Sequence, residues 1–282
     1  EHDTIMITEA EFLQQLQDAI RHNRITLPTL PEVALRVRDE VDKDSATAVK
    51  IAKTVATDAA VSARLLQVAN SPLYRGRVSI DSIQMAVTRL GNKLVRSLVV
   101  SLAMKQIFQA TSDALDTRLR TLWEESVQVA AISRVLAQSQ PHLEKEQAML
   151  AGLIHSIGSL PILTMADSFA ELMIDTERLD EFVEHLNPII GKQILETWDF
   201  PDTLVKVPEN YCNYSYDSGP KADYVDIVQV ARLQALGDKA GISGMELLQI
   251  PAFRKLGIEP EIEEINIEGV AEDIEQVRAV LL

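Results

Sequence analysis

Cysteine is nearly absent: Cys212 is the only one among 282 residues. An internal disulfide is therefore excluded, which points to a reducing compartment. Its neighbours are Tyr211 and Asn213, with no histidine close in sequence, so a catalytic thiol is not expected. Long apolar runs are also missing. Unbroken stretches such as Leu98 to Val100 are short, whereas a membrane span needs ~20 apolar residues, so no span is expected. The first residues lack the basic-then-apolar order of a signal peptide, and a cytoplasmic location is the expectation. Nothing alternates with period two, so no sheet is expected. Internal repeats and low-complexity tracts are lacking too.

Positive charge is scarce. Lysine and arginine number 27 against 42 acids, a net charge of −15. Phosphate contacts dominate nucleic-acid binding, so DNA or RNA is not expected as the main partner. The distribution is uneven. From Arg64 to Lys105 the basic residues Arg64, Arg75, Arg77, Arg89, Lys93, Arg96 and Lys105 face one acid, Asp81. Beyond Gly257, Glu259, Glu261, Glu263, Glu264, Glu268, Glu272, Asp273 and Glu275 face only Arg278. Arg75, Arg77, Arg89, Lys93 and Arg96 are thus a candidate surface for an anion or an acidic partner.

What is present is helical periodicity, on a composition 46% hydrophobic and able to build a core. Thr8 and Glu11 form a capping box, followed by the stripe Phe12, Leu16, Ala19, Ile20. Pro31 suits the first turn of a second helix, and a third is expected from Ser45 to Ala56. Asp58 caps a fourth with Val61, Leu65 and Val68 inside. Ser79 reads as the next cap and Gly91 as a C-cap. Asn92 starts an apolar helix, and Asp116 precedes a long one through Trp123 and Val135. His155 sits near the end of the segment Glu144 to Gly158. Asn187-Pro188 reads as a cap and helix start, and Pro208 to Pro220 as a surface loop. Helices are expected at 222–238 and 267–282. The last could offer an apolar side to a second copy, making a homodimer. The expected fold is all-α: two packed helical bundles, 1–112 and 113–282, with a soft boundary at Thr111 to Asp116.

Three segments carry a family resemblance. They are Leu27-Pro28-Thr29-Leu30-Pro31; the run from Asp58 to Asn70-Ser71, followed by Tyr74, Ile80-Asp81-Ser82-Ile83 and Leu90-Gly91; and Ala151-Gly152-Leu153-Ile154-His155-Ser156-Ile157-Gly158. Together they resemble the HDOD family, the HD-related output domains of bacterial signalling proteins, over roughly residues 24 to 215. Asn70-Ser71 is the family's motif turn. The resemblance implies an HDOD-type fold whose C-terminal bundle is like the HD-domain metal phosphohydrolases.

Those enzymes hold metal with a histidine, a His-Asp pair and a distant aspartate, and the metal lowers the pKa of a bound water. Carried over residue by residue, the positions fall at Ser126, His155-Ser156 and Arg232. A further histidine pair of related proteins would fall at Glu209-Asn210. His155 alone keeps its ligand type. The expectation is therefore a pseudoenzyme without metal or cofactor, acting as a signalling output or scaffold module on a kinase, cyclase or regulator. A sensor binding a small anion or nucleotide in the vestigial pocket is the alternative. So is a divergent metal-dependent phosphohydrolase drawing on Glu124, Asp223 or Asp226.

Overall fold

The structure, a computed structural model, describes residues 6–109, 112–260 and 270–282. Among the described residues there is no strand, and the all-α expectation holds. Glu261, Glu263, Glu264, Glu268, residues 267–269 of the last expected helix and Thr111 of the soft boundary lie outside them.

Helices α1 (Glu9–Arg21), α2 (Glu32–Val41), α3 (Ala48–Val55), α4 (Ala59–Ala69), α5 (Ile83–Leu90) and α6 (Asn92–Ala103) come first. A 3₁₀ turn, Met104–Phe108, leads to α7 (Asp113–Ala137). Then follow α8 (Lys145–Ile154), α9 (Ser159–Ala166), α10 (Ala170–Ile174), α11 (Thr176–Thr197), α12 (Asp202–Asn210) and α13 (Tyr224–Leu236). After a second 3₁₀ turn, the short α14 (Gly244–Leu247) and α15 (Pro251–Leu256) precede α16 (Val270–Leu281).

Local signals place most helix ends. Thr8 and Glu11 make a full capping box, and Asp58 accepts from the Val61 amide at 3.0 Å. Gly91, at φ 88°, ends α5 and opens α6 in a conformation only glycine adopts easily. Three ends differ from expectation. Thr47, not Ser45, caps α3. Ser82, not Ser79, caps α5, while the Ser79 hydroxyl turns to the Asn70 side chain. Helix α7 begins at Asp113, so Asp116 lies inside its first turn.

The largest correction is at Asn187-Pro188. This pair starts no helix; it lies in the middle of α11. A proline removes the amide that would bond the carbonyl four residues back, here Glu184. The Tyr211 hydroxyl donates to that carbonyl at 3.3 Å instead. The expected 208–220 loop is likewise shortened: α12 runs to Asn210, and Tyr211 is buried.

One main cluster of buried apolar side chains runs through both halves of the chain, from Ile7 to Leu281. The ends of the chain cross over. Phe12 of α1 packs on Phe169 and Phe182, with centroids 5.7 and 5.4 Å away. The Trp198 indole donates to the Pro28 carbonyl at 2.9 Å. Conversely, α16 packs on α7 and α4, burying Val270, Val277 and Leu281. The apolar side expected to be free for a second copy is thus covered, which corrects that expectation. The stretch Lys145–Ala166 is apolar and long enough to cross a membrane by composition, contrary to the sequence reading. It is, however, two helices, and 89% of the apolar window is buried inside the fold.

The tightest packing joins α7 and α8. A Cβ on Gly152 would sit 2.5 Å from the Ala130 Cα. Backbone cannot yield as a side-chain end can, so Gly152→Ala should lower unfolding free energy by about 1–3 kcal/mol, the usual cost of overpacking. The urea midpoint, compared with that of Ala151→Gly as a control for helix propensity, measures it.

Candidate functional site

The segment after α8 turns at His155, Ser156, Ile157 and Gly158 before α9 begins. Two contacts fix the turn. A Cβ on Gly158 would meet the Gly191 amide nitrogen at 2.6 Å, so α11 closes directly over it. Asn187 of α11, fully buried, donates from its side-chain amide to the His155 carbonyl at 2.8 Å. Its side-chain oxygen has no hydrogen-bond partner among the described residues.

Around this turn the structure gathers the four positions singled out in sequence. Ser126 of α7 and Ser156 face each other, with hydroxyl oxygens 3.0 Å apart and both side chains buried. The His155 ring is 5% exposed, and its Nδ1 lies 2.6 Å from the Gly152 carbonyl oxygen. Its ring packs edge-to-face with Tyr211, centroids 5.6 Å apart. Arg232 of α13 stacks over that same Tyr211 ring at 4.9 Å, donates to the Tyr214 hydroxyl at 3.1 Å, and lies 3.7 Å from Glu184. Arg232 thus joins the cluster through tyrosine rather than by touching the serines.

The donor set does not suit a metal ion. Two neutral hydroxyls are bonded to each other, one imidazole nitrogen faces a carbonyl, and the fourth position is a cation. Divalent metals need anionic or imidazole ligands. The alternative carboxylates are committed elsewhere. Asp223 and Asp226 form a capping box on α13. Asp226, fully buried, also pairs with Lys255 at 3.3 Å, and burial raises its pKa to about 6. Glu124 is exposed. Among the described residues no three His, Cys, Asp or Glu side chains converge. The Cys212 thiol is half-buried, and burial pushes its pKa up, which keeps it protonated.

The five candidate surface cations do not act as one patch. Arg89 donates to the Val78 carbonyl, Lys93 pairs with Glu144, and Arg96 with Asp42. Arg75 and Arg77 remain exposed, without a side-chain partner among the described residues. The Asn70-Ser71 turn holds their loop. Asn70 accepts from the Ile80 amide and donates to its carbonyl, both at 2.8 Å, and the Ser71 hydroxyl donates to the Val68 carbonyl at 2.6 Å. Tyr74 then reaches Glu146 of α8 at 2.8 Å, with Arg134 of α7 over its ring at 5.3 Å.

Sequence reasoning missed Asn187, Tyr211 and the Arg134–Glu146 pair. Asn187 looked like a cap because a proline follows it. Tyr211 sat in what read as loop. For the ion pair no local signal exists.

Burial lowers the His155 pKa to about 4; the Gly152 carbonyl opposes the shift and Arg232 adds to it. Between about pH 6.5 and 4 the unfolded chain protonates this ring and the folded chain does not. Stability therefore falls as pH drops through that window, by about 1.4 kcal/mol per pH unit, and His155 contributes no slope above it. Urea midpoints of the parent minus those of His155→Gln, from pH 7.5 to 4.5, should decline accordingly; a flat difference would contradict the buried neutral ring.

Comparison with known proteins follows the same lines. The HDOD domain family model matches residues 27–213. A Shewanella amazonensis SB2B structure, provisionally named a metal-dependent phosphohydrolase, is 29% identical over 97% of this chain and 99% of its own, with a TM-score of 0.82. An HDOD domain protein of unknown function from Geobacter sulfurreducens is 20% identical, covering 98% and 100%, with a TM-score of 0.69. A Marinobacter aquaeolei VT8 structure, provisionally named a signal transduction protein, is 22% identical over 99% of this chain and 67% of its own, with a TM-score of 0.65. An uncharacterized protein of Treponema pallidum is 21% identical over 193 residues; the match spans 64% of this chain but 36% of that relative's length. With two thirds of its length matched by the family model, from the Leu27-Pro28 segment to the residues just past Tyr211, this chain belongs to the HDOD family.

Proposed function

We propose that this protein is a non-catalytic output or scaffold module of bacterial signal transduction, acting by binding another protein such as a kinase, cyclase or regulator. The observation that carries the reading is the Ser126–Ser156 hydrogen bond. At the two positions where an HD enzyme needs a histidine and an aspartate, two hydroxyls satisfy each other. The opposing Arg232 supplies positive charge where a carboxylate would be required. The HDOD family membership and the provisional name of the Marinobacter relative support a signalling role.

Arg75 and Arg77 favour a partner with an acidic surface. They stand on a loop braced at both ends, by Asn70 and by Tyr74, so the charges are presented from a fixed backbone. Rigid presentation lowers the ordering cost of binding. The sensor reading draws less support at the old pocket. His155, Ser126 and Ser156 are all buried, and neither of two sizeable cavities in the fold is lined by them.

Two measurements test the proposal. Protein purified without chelator should carry well under one equivalent of any transition metal by plasma mass spectrometry; a stoichiometric metal would sink the non-catalytic reading and favour the phosphohydrolase. The doubly reversed Arg75→Glu, Arg77→Glu variant should keep its melting temperature. Its capture of interacting proteins from the native cell should drop about tenfold, the equivalent of roughly 1.4 kcal/mol. Undiminished capture would remove this loop as the docking surface.

A further inference from the structure

The loop from Arg75 to Ser79 is exposed throughout and carries charge on both sides of a glycine. Arg75 and Arg77 flank Gly76 in the chain. A third cation joins them from the last turn of α5. The Arg89 side chain lies along the loop: a Cβ on Gly76 would meet its Cδ, Cζ and Nη1 at 3.9, 3.8 and 3.4 Å. The missing side chain at Gly76 therefore leaves the exposed Arg89 guanidinium uncovered beside the loop.

Arg89 is held differently from its neighbours in sequence. Lys93 and Arg96 meet the carboxylates of Glu144 and Asp42. Arg89 meets a neutral group, the Val78 backbone carbonyl, through Nη1. A guanidinium has five N–H donors, so this contact fixes the side chain without neutralising it. Among the described residues no carboxylate lies within 4.0 Å of Arg75, Arg77 or Arg89. Asp81, the one acid in the basic stretch, is exposed and makes no ion pair among those residues. Three positive charges thus stand around one glycine on a braced loop.

We propose, resting on the partner reading above, that Arg75, Arg77 and Arg89 bind a phosphorylated side chain of the partner protein, with Val78 against an apolar residue beside it. A phosphoryl group carries close to two negative charges at neutral pH and three acceptor oxygens. Several guanidinium forks can engage it together, whereas one fork already fills a carboxylate. Val78 is 62% exposed, an apolar contact that free phosphate would leave in water. Neither of the two sizeable cavities includes this loop, so a small free ligand would find no enclosing walls. A nucleic-acid strand would bring its further phosphates against a protein of net charge −15.

A fluorescein-labelled peptide with phosphoserine between two leucines, followed by anisotropy, is the probe. It should bind saturably, about tenfold more tightly than the same peptide with glutamate in place of phosphoserine. Arg77→Gln and Arg89→Gln should each weaken it about tenfold, and Val78→Ser about threefold, at the parent's melting temperature. Inorganic phosphate should displace it only at concentrations about tenfold above those of the unlabelled phosphopeptide. The proposal is overturned by a flat titration, by equal binding of the glutamate peptide, or by unchanged affinity in either arginine variant. It is equally overturned when inorganic phosphate or a short DNA single strand competes as well as the phosphopeptide. Any of these results beside reduced capture by the Arg75→Glu, Arg77→Glu variant would leave the partner reading standing, on an unphosphorylated acidic surface.

Discussion

Gly152 has no side chain because the Ala130 backbone occupies the place a Cβ would take. This contact sets the distance between α7 and α8, and that distance determines much of the C-terminal half. It brings Ser126 opposite Ser156. It also lets Arg134 and Glu146, one on each helix, pair beneath Tyr74. A wider spacing would separate both pairs at once. Buried polar groups left without partners cost about 1–3 kcal/mol each, so the polar contacts in turn hold the helices to a single spacing.

The buried cluster around His155 shows how an interior site can settle its polar groups without anionic ligands. An interior that held a metal would need anionic ligands to offset the ion. Without them, two serines hydrogen-bond to each other, and a tyrosine separates the imidazole from a guanidinium. Arg232 finds its counter-charge in Glu184 and its stacking surface in Tyr211. The arrangement is nearly self-satisfied. The exception is the Asn187 side-chain oxygen, packed against Gly158 and Gly191, which has no hydrogen-bond partner among the described residues.

Much of this was legible in sequence wherever the signal is local. Thr8, Asp58 and Gly91 mark helix ends through chemistry confined to four residues, and the structure uses each as expected. The family motif placed Ser126 and Ser156, 30 residues apart, and they meet. The misreadings come from a different source. Asn187-Pro188 looks like a helix start because a proline's lost hydrogen bond is normally left at an end. Here the orphaned Glu184 carbonyl is satisfied by Tyr211, 27 residues along the chain. No inspection of the local sequence could supply that partner. The basic segment misled in a similar way. Three of its five candidate cations are taken up by Glu144, Asp42 and the Val78 carbonyl, which only the folded chain brings near.

The crossing of the chain's two ends bears on how the protein is made. Helix α1 completes its packing only against α10 and α11, and the groove between α4 and α7 is filled only when α16 arrives. A ribosome delivers the N-terminal end first. The first bundle therefore emerges with one apolar groove still open, and it stays open until 177 further residues, from Lys105 to Leu281, have been synthesised. Synthesis at the ordinary pace of about 5–20 residues per second leaves that surface uncovered for many seconds. The nascent chain thus carries an uncovered apolar groove through most of its synthesis.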